Sequence, residues 1–224
     1  MFRGKFSILM LVIVAASLTM GCYRIRHSIK GSGARQTEKR QISPFTSISS
    51  EGAFDIEVVA QKDQSLEVEA DDNVLSSVET EVRGSVLNIR MRGSFSLTDE
   101  VKIRITVPNL ERVSASGAGS INITGLKNEK FDIDVNGAPT IRAAGETKVA
   151  RIETNGAGNI DTMRLRASEV TVESSGVSTV QVYAANQLNV TVSGPSHVTY
   201  SGDPEVNQTI NGPGSVQRKE SDGA

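Results

Sequence analysis

The chain has 224 residues, 38% of them hydrophobic, and a formal net charge of −2, so it is long enough for one ordinary domain or two small ones. This composition excludes a disordered chain, and the near-neutral charge gives no sign of nucleic-acid binding. Aromatic residues make up 4% and Trp is absent, whereas 20 Gly residues accompany frequent Val, Ile, Ser and Thr. This balance favours strands and tight turns, so we expect an all-β protein.

The N-terminus has the pattern of a secretory signal. Arg3 and Lys5 precede an apolar run from Phe6 to Leu18, which is shorter than the ~20 residues that a membrane-spanning helix needs. We therefore predict that residues 1–21 are a signal peptide. Its removal would take the formal charge from −2 to about −4.

The predicted signal ends in Gly21-Cys22, which resembles a bacterial lipobox. In that pattern small residues precede a Cys that is lipidated and becomes the new N-terminus, so the resemblance implies a lipid anchor on Cys22. Cys22 is the only Cys, so the chain has no disulfide framework to build. A free thiol beside an ordinary signal peptide is the alternative. Tyr23 follows the Cys, and the lack of an Asp there resembles lipoproteins sent to the outer membrane.

Residues 22–43 are predicted to be the lipidated Cys and a flexible, basic tether. Bases outnumber the single acid, Glu38, and a Gly-Ser-Gly lies in the middle. The basic residues are Arg24, Arg26, Lys30, Arg35, Lys39 and Arg40. This segment could lie on anionic phospholipid head groups, where each base contributes on the order of 1 kcal/mol, or it could be a solvated spacer.

Residues 44–218 form the predicted head domain. In its first segment, ISSEGAFDI, Ile48, Gly52 and Ile56 have the offsets that recur later in the chain, so we predict one corner of a coil there. Residues 64–107 depart from that spacing and alternate as strands. We expect them to form a sheet that is continuous with the later coils and covers their N-terminal end, with a separate small domain as the alternative.

Two local signals support this interpretation of residues 64–107. Arg83-Gly84-Ser85 predicts a hairpin turn, and Asp71-Asp72-Asn73 predicts the cap of a single helical turn. Pro108-Asn109 then closes the section.

The rest of the chain is a repeat, most visible in segments such as FDIDVNGAPTI and RIETNGAGNI. One Gly recurs at steps of about 20, 19, 20, 18 and 18 residues. The members of this column are Gly117, Gly137, Gly156, Gly176, Gly194 and Gly212. A fixed period of this kind is typical of a repeat architecture.

Apolar residues flank the Gly column at constant offsets. Four residues after each Gly come Ile121, Ile141, Ile160, Val180, Val198 and Val216. Four residues before come Val113, Ile133, Ile152, Val172, Val190 and, in the last repeat, Gln208. In the strand that leads to each Gly, inward positions alternate with polar ones, which is the pattern of a strand with one buried face. Each repeat is too short for a helix-containing βαβ unit of ~30 residues.

These observations predict a solenoid of the parallel β-helix or β-roll type with repeats of about 18–20 residues. Equivalent residues would stack at ~4.8 Å and bury a continuous aliphatic ladder. The residue before each Gly is Ser or Asn, which can turn the chain and join a polar ladder. We expect the Gly itself to have a positive φ. Gln208, Arg218 and the polar tail, residues 219–224, predict a terminal cap.

The repeat columns resemble the bacterial family of auto-transporter adhesin, head GIN domains. GSIN at 119–122, the entry VPNLERVSASG and the exit YSGDPEVNQTINGPGSV occur in the order of that family, and the likeness covers about residues 44–218. The resemblance implies a right-handed β-helix-like fold in an exported envelope protein, often a lipoprotein. It carries over no catalytic motif and no cofactor.

The residues themselves give no enzyme signature: no His-Glu-x-x-His, phosphate loop or Gly-x-Ser-x-Gly occurs. His27 lies in the tether and His197 at a corner, so neither has a set of partners at ligand spacing. The Asn-x-Thr triplets at Asn122, Asn189 and Asn207 are interpreted as strand residues. An enzyme built on a β-helix would need a cleft, whereas the returns between these coils are short.

An outward column of acids, Asp134, Glu153 and Glu173, is the one candidate cation site. Like charges opposed across a ladder are destabilising, and a divalent cation could relieve them. A nearby base, Arg151, is the alternative source of relief.

The sequence therefore predicts a lipid-anchored protein of the outer membrane or cell envelope. Its flat face of Thr, Ser, Asn and charged residues suits a carbohydrate or protein ligand. The family resemblance and the predicted location, rather than any identified site, imply adhesion or scaffolding. A periplasmic structural or stress-associated lipoprotein is the alternative. Self-association through the exposed ends of the solenoid is a separate hypothesis.

Overall fold

The structure is a computed structural model that describes residues 28–97 and 99–219. The predicted signal peptide at 1–21, the lipidation site at Cys22 and residues 220–224 of the predicted tail lie outside the described residues.

Strands make up 66% of the chain and helix 2%, and the strands form a β-solenoid of about five turns, so the predicted fold class is confirmed. The strands are β1 (Ile29–Lys30), β2 (Arg35–Lys39), β3 (Ser47–Glu51), β4 (Phe54–Ala60), β5 (Ser65–Asp71), β6 (Val78–Arg83), β7 (Val86–Met91), β8 (Phe95–Ser96), β9 (Val101–Val107), β10 (Arg112–Ala115), β11 (Ser120–Val135), β12 (Thr140–Thr154), β13 (Asn159–Ser174), β14 (Thr179–Val192), β15 (His197–Ser201), β16 (Glu205–Ile210) and β17 (Ser215–Arg218). The helical turn α1 spans Asp72–Leu75. Within the described ranges, no helix combines the length and hydropathy needed to cross a membrane.

The coils stack in the register that the sequence columns predict. Ile121 of β11 is opposite Ile141 of β12, which in turn is opposite Ile160 of β13. All the pairings from β10 to β17 are parallel. The long strands β11 to β14 each run through a bend, where their register shifts. Each step of about 20 residues is therefore one turn of the solenoid.

The core is a ladder of buried aliphatic side chains whose members come from successive coils. Val113, Ile133 and Ile152 of one column are at most 1% exposed. Towards the C-terminal half the core also contains hydroxyl groups: Thr154 is hydrogen-bonded to Ser178 at 2.7 Å. Ser174 donates to Ser196 at the same distance in the next pair of coils. The hydroxyls satisfy one another, which allows them to be buried.

The N-terminal end of the solenoid is covered by strands of the same 15-stranded sheet: β9 and β7 join it in parallel, and β5 and β6 then pair antiparallel with them. β4 pairs with β9, and β9 pairs with β5; β3 pairs with β7, and β7 pairs with β6. Ile48 and Ile56 stack on Val113 and Ile121, so the predicted first corner at Gly52 is confirmed. The predicted sheet in residues 64–107 is likewise continuous with the coils.

The prediction of a flexible tether is wrong for part of residues 22–43. Arg35–Lys39 is strand β2, which pairs antiparallel with β5, and Ile29–Lys30 pairs with β8. The antiparallel backbone ladder with β5 orders the segment, and ion pairs add to it: Arg35 lies 3.3 Å from Glu69 and Lys39 lies 3.3 Å from Glu67. The bases of the supposed spacer thus face the acids of a distant strand.

The corner glycines are required for a different reason from the one predicted. Among the six, only Gly212 has a positive φ, at 135°. A Cβ on Gly156 would instead lie 1.9 Å from the carbonyl oxygen of Gly137 in the preceding coil. The corners from Gly117 to Gly194 therefore need Gly because stacked backbones approach too closely for any side chain, whereas at Gly212 the nearest atom to a Cβ is 3.6 Å away and the predicted positive φ is the reason.

The C-terminal coil is the exposed end of the stack. Ile210 is 39% exposed, and Gln208 occupies the position at which the previous coils have a buried aliphatic residue. Arg218 donates to the carbonyl oxygen of Gly202 at 2.7 Å. The predicted replacement of core residues by polar ones in the last repeat is confirmed.

Replacing Gly156 with Ala should destabilise the protein by about 3 kcal/mol or more, because the new methyl group forces two backbones apart. Urea unfolding followed by circular dichroism measures this free energy. Gly84→Asn is the control: Gly84 lies in the hairpin turn with φ of 62°, a Cβ there meets nothing within 4 Å, and Asn tolerates this conformation. Equal effects of the two substitutions would contradict the close-approach explanation.

Candidate ligand groove

The outer bend of the coils, where the long strands change direction, carries polar side chains in register. Lys127, Glu146 and Arg166 are equivalent residues of three successive coils, so charge alternates along this column. Lys148 adds an ion pair with Glu129 at 3.7 Å. The bend thus presents both signs of charge along the stack.

A shallow groove follows this bend, and we call it the corner groove. It consists of two adjoining hollows of about 760 and 850 Å³ that share Lys127, Asn128 and Glu129. The first hollow is lined further by Glu146, Thr147, Lys148, Arg166, Ala167, Ser168, Tyr183 and Ala185. The second is lined further by Thr46, Ser47, Gln61, Ser85, Val86, Asn109, Glu111, Arg112, Lys130 and Asp132. The groove crosses the neighbouring strands from β7 to β14, a length of roughly 30 Å at about 4.8 Å per strand.

Hydrogen bonds to main-chain carbonyls fix the floor of the groove. Gln61 donates from Nε2 to the carbonyl oxygens of Pro108 and Lys127, at 3.1 and 3.3 Å. Asn128 donates from Nδ2 to the carbonyl oxygen of Leu110 at 2.6 Å. The side-chain oxygen of Asn128 is buried and has no hydrogen-bond partner. One end of this amide is therefore anchored while the other is unused.

Asp132 is the buried carboxylate of the groove, with 5% of its surface exposed. Its Oδ2 accepts hydrogen bonds from Arg112 at 2.8 Å and from Lys130 at 2.9 Å. Burial by itself would raise the pKa of Asp132, but the two hydrogen bonds outweigh it and hold the pKa below its ordinary value. Oδ1 is buried and has no donor. Asp132 is thus a charged acceptor with one free oxygen.

At the far end of the groove, the guanidinium of Arg166 lies 4.2 Å from the centre of the Tyr183 ring. This is a cation–π contact, which holds the Arg side chain flat against the aromatic face. Tyr183 is therefore covered on that face, and the ring edge and hydroxyl remain for other contacts.

The predicted acid column is assembled as expected, but bases lie within it. Glu153 is opposite both Asp134 and Glu173 in the register. Arg151 lies 3.1 Å from Glu173 and 3.6 Å from Glu153. Burial raises the pKa of Asp134, with a further contribution from Glu153, against the opposing charge of Arg112. The base Arg151 therefore offsets the repulsion within the acid column. In the described part of the chain, no group of three His, Cys, Asp or Glu residues could hold a metal ion.

The other predicted residues lie on the surface or outside the described region. His197 accepts or donates one hydrogen bond, at 2.8 Å to the hydroxyl of Ser215, and is exposed at a corner. Cys22 and His27 lie outside the described residues. Asn155 donates to Asn136 at 3.4 Å and accepts from Ser175, so the predicted polar ladder forms at these corners.

Sequence reasoning missed the corner groove and Asp132. A signal was present: Phe131, Asp132 and Ile133 are consecutive, and all three are buried. Regular alternation would place an acid flanked by two buried apolar residues outside, in solvent. The equivalents of Asp132 in the adjacent coils are Arg112 and Arg151. A carboxylate between two arginines is the pattern that could have identified this position.

Replacing Arg151 with Gln should lower the free energy of unfolding by about 0.5–1 kcal/mol, because the two glutamates then face each other without a counter-charge. The loss should shrink when urea unfolding is repeated at high salt, since salt screens exposed charges. Arg142→Gln on the same strand is the control, because Arg142 makes no ion pair within the described ranges. A loss that is unaffected by salt would contradict this electrostatic explanation.

The contribution of Asp132 to stability should depend on pH. Since its folded pKa lies below the ordinary value of 3.8, the ionised carboxylate stabilises the fold above that value and loses its effect as the pH falls through the folded pKa. Asp132→Asn should therefore be destabilising at about pH 7 and much less so at about pH 2. Urea unfolding across this range measures the difference, with the 92% exposed Asp203 changed to Asn as control. A pH-independent effect of Asp132→Asn would contradict the assignment.

Several solved structures share this fold. One, from Bacteroides fragilis and described as a putative adhesin, is 22% identical with a TM-score of 0.69. Two from Parabacteroides distasonis are described as a putative lipid binding protein, at 24% identity and TM-score 0.51, and as a putative adhesin, at 20% and 0.55. In all three comparisons 86% of this chain and 100% of the other chain are covered. Identities this low establish the fold alone.

A search of functionally curated proteins finds no significant match. The model of one protein family matches residues 44–204, which is most of the head domain and more than half of the chain. The sequence resemblance is thereby confirmed. The chain belongs to the family described as putative auto-transporter adhesin, head GIN domain.

Proposed function

We propose that this protein is a lipid-anchored, non-catalytic binding protein of the cell envelope, which holds an extended ligand along the corner groove. The observation that carries the proposal is the groove itself. It is open, it crosses the strands from β7 to β14, and it is lined almost throughout by polar and charged side chains. A surface of this form makes many weak contacts with a long partner.

The chemistry of the groove supports binding in preference to catalysis. A catalytic acid or base needs a pKa near the working pH. The pKa of Asp132 is instead lowered by Lys130 and Arg112, which keeps the carboxylate ionised. Glu129 lies 3.7 Å from Lys148, and Arg166 rests on Tyr183. These pairings suit fixed charges that recognise a ligand.

The adhesin description of the family and of the Bacteroides fragilis protein also favours a binding role at an exposed surface. The description of one Parabacteroides distasonis protein as lipid-binding raises a second ligand class. The solenoid interior of this chain is filled by its aliphatic ladder and the corner groove is polar. Both features favour a polar ligand over a lipid.

The lipid anchor and the cellular location follow from Gly21-Cys22 and are tested together. Intact cells that produce the protein with a C-terminal epitope tag are treated with protease, alongside cells producing Cys22→Ala. We expect the wild-type tag to be removed and the Cys22→Ala protein to leave the membrane fraction, because only Cys22 can carry the anchor. Mass spectrometry of the N-terminal peptide should show the acyl chains.

A periplasmic protein serves as the control for cell integrity and must survive the protease. If the tag is protected until the outer membrane is opened, the surface role is wrong and an internal envelope role replaces it. If Cys22→Ala fractionates as the wild type does, the anchor is wrong.

A further inference from the structure

We propose that the corner groove binds a saccharide, and that Asp132 and Asn128 form its central subsite by accepting hydrogen bonds from sugar hydroxyl groups. This inference rests on the proposed function, since it names the ligand class of the same groove. It starts from two residues that line one hollow and that each have a buried side-chain oxygen without a donor.

Unpaired buried acceptors are rare in folded proteins, and each one calls for an explanation. In the described ranges four buried side-chain atoms have no partner, and two of them are Oδ1 of Asp132 and Oδ1 of Asn128. Both residues line the second hollow of the groove. Two unused acceptors on residues that line the same hollow match a ligand rich in O–H donors.

The rest of each side chain is fixed, so the free oxygens are oriented before a ligand arrives. Arg112 and Lys130 hold Oδ2 of Asp132, and the main-chain N–H of Asp132 donates to Glu111 at 2.9 Å. The amide nitrogen of Asn128 is held by Leu110. Such preorganisation lowers the entropic cost of binding.

A ligand would reach Asp132 past the side chains of the two bases that cover it. The side chain of Lys130 is 59% exposed and that of Arg112 is 53% exposed, whereas that of Asp132 is 7% exposed. When the long side chain of Lys130 turns outward, a sugar hydroxyl reaches the carboxylate, and the ammonium group donates to a neighbouring ring or hydroxyl oxygen. The subsite then offers acceptors and donors side by side, as a polyol requires.

The lining favours a saccharide over a peptide. Around Asp132 it consists of groups such as Thr46, Ser47, Ser85 and Asn109, and Val86 is its one aliphatic member. Peptides are usually anchored by apolar side chains in pockets or by pairing with a free strand edge. Here β11 already has strands on both sides, so its backbone is not free.

The charge of the second hollow favours a neutral or amino sugar over a polyanion. Its bases are Lys127, Arg112 and Lys130, and its acids are Glu111, Glu129 and Asp132. The two sets balance, so the hollow has no excess positive charge to attract a polyanion.

The test begins with the full-length lipoprotein in detergent on an array of neutral, amino-sugar and uronic-acid oligosaccharides. The best neutral or amino-sugar oligosaccharide is then titrated calorimetrically into the wild type and three variants. Asp132→Asn should weaken binding at least tenfold, and Lys130→Met about threefold, because the charged acceptor and its neighbouring donor are removed in turn. Asp71→Asn should leave the affinity unchanged.

Asp71 is the matched control because it is also a buried Asp, 3% exposed with one unpartnered oxygen, but lies on β5 away from the groove. If Asp132→Asn does not fold, Lys130→Met decides, since the side chain of Lys130 is exposed and Arg112 still pairs with Asp132 in this variant. Wild-type affinity in the folded Asp132 variant, or in Lys130→Met when it decides, overturns the subsite.

The array also separates this inference from the proposed function. Binding of uronic-acid chains alone overturns the assignment to neutral or amino sugars. If no saccharide binds while a surface protein of a neighbouring cell does, the saccharide inference fails and the binding role stands. If the protease experiment places the protein inside the envelope, the surface role fails even where saccharide binding depends on Asp132.

Discussion

The hydrogen bond between the backbones of successive coils is the constraint on which the rest of the structure depends. At the corners it runs from the N–H of one coil to a Gly carbonyl of the previous one, as from Ala157 to Gly137 at 2.9 Å. Because the two backbones are in contact there, the turns from Gly117 to Gly194 have the same form and cannot carry a Cβ. Equal turns keep the columns in register, and the register aligns the aliphatic ladder.

This dependence explains how much of the fold the sequence predicts. A repeated turn leaves repeated residues, so the Gly column and the apolar columns at Ile133 and Ile141 are visible without a structure. The reason for Gly was misjudged, because a sequence does not distinguish an unusual φ from a close approach. Strand β2 has no apolar pattern that would reveal it, and its partner β5 is distant in sequence; a backbone ladder with ion pairs beside it holds the two together.

The polar residues inside the solenoid mark a second limit of prediction. Ser174 and Ser196 belong to different columns, one before and one after the corner, and only the folded corner brings their hydroxyls to 2.7 Å. The same geometry lets Ser196 donate to the carbonyl of Gly176. Alternation predicts which residues point inward, whereas the pairing of inward polar groups depends on how tightly each corner closes. Here the hydroxyls pair with each other, while Oδ1 of Asp132, a residue that lines the groove, is buried without a partner.

In a solenoid, the inward positions that stabilise the fold are distinct from the positions at the outer bend, which are free to vary. The candidate site lies at the outer bend. Inside, most equivalent residues remain aliphatic from coil to coil, as in the column of Ile121, Ile141 and Ile160; at the outer bend the equivalents are Lys127, Glu146 and Arg166. Side chains at the bend are not part of the aliphatic ladder, so neighbouring coils can assemble a continuous polar groove without disturbing the core. Asp132 lies between the interior and the bend, because it is buried between Phe131 and Ile133 and also lines the groove. Burial there is sustained by two bases, which is why a charged acceptor can persist beneath the groove surface.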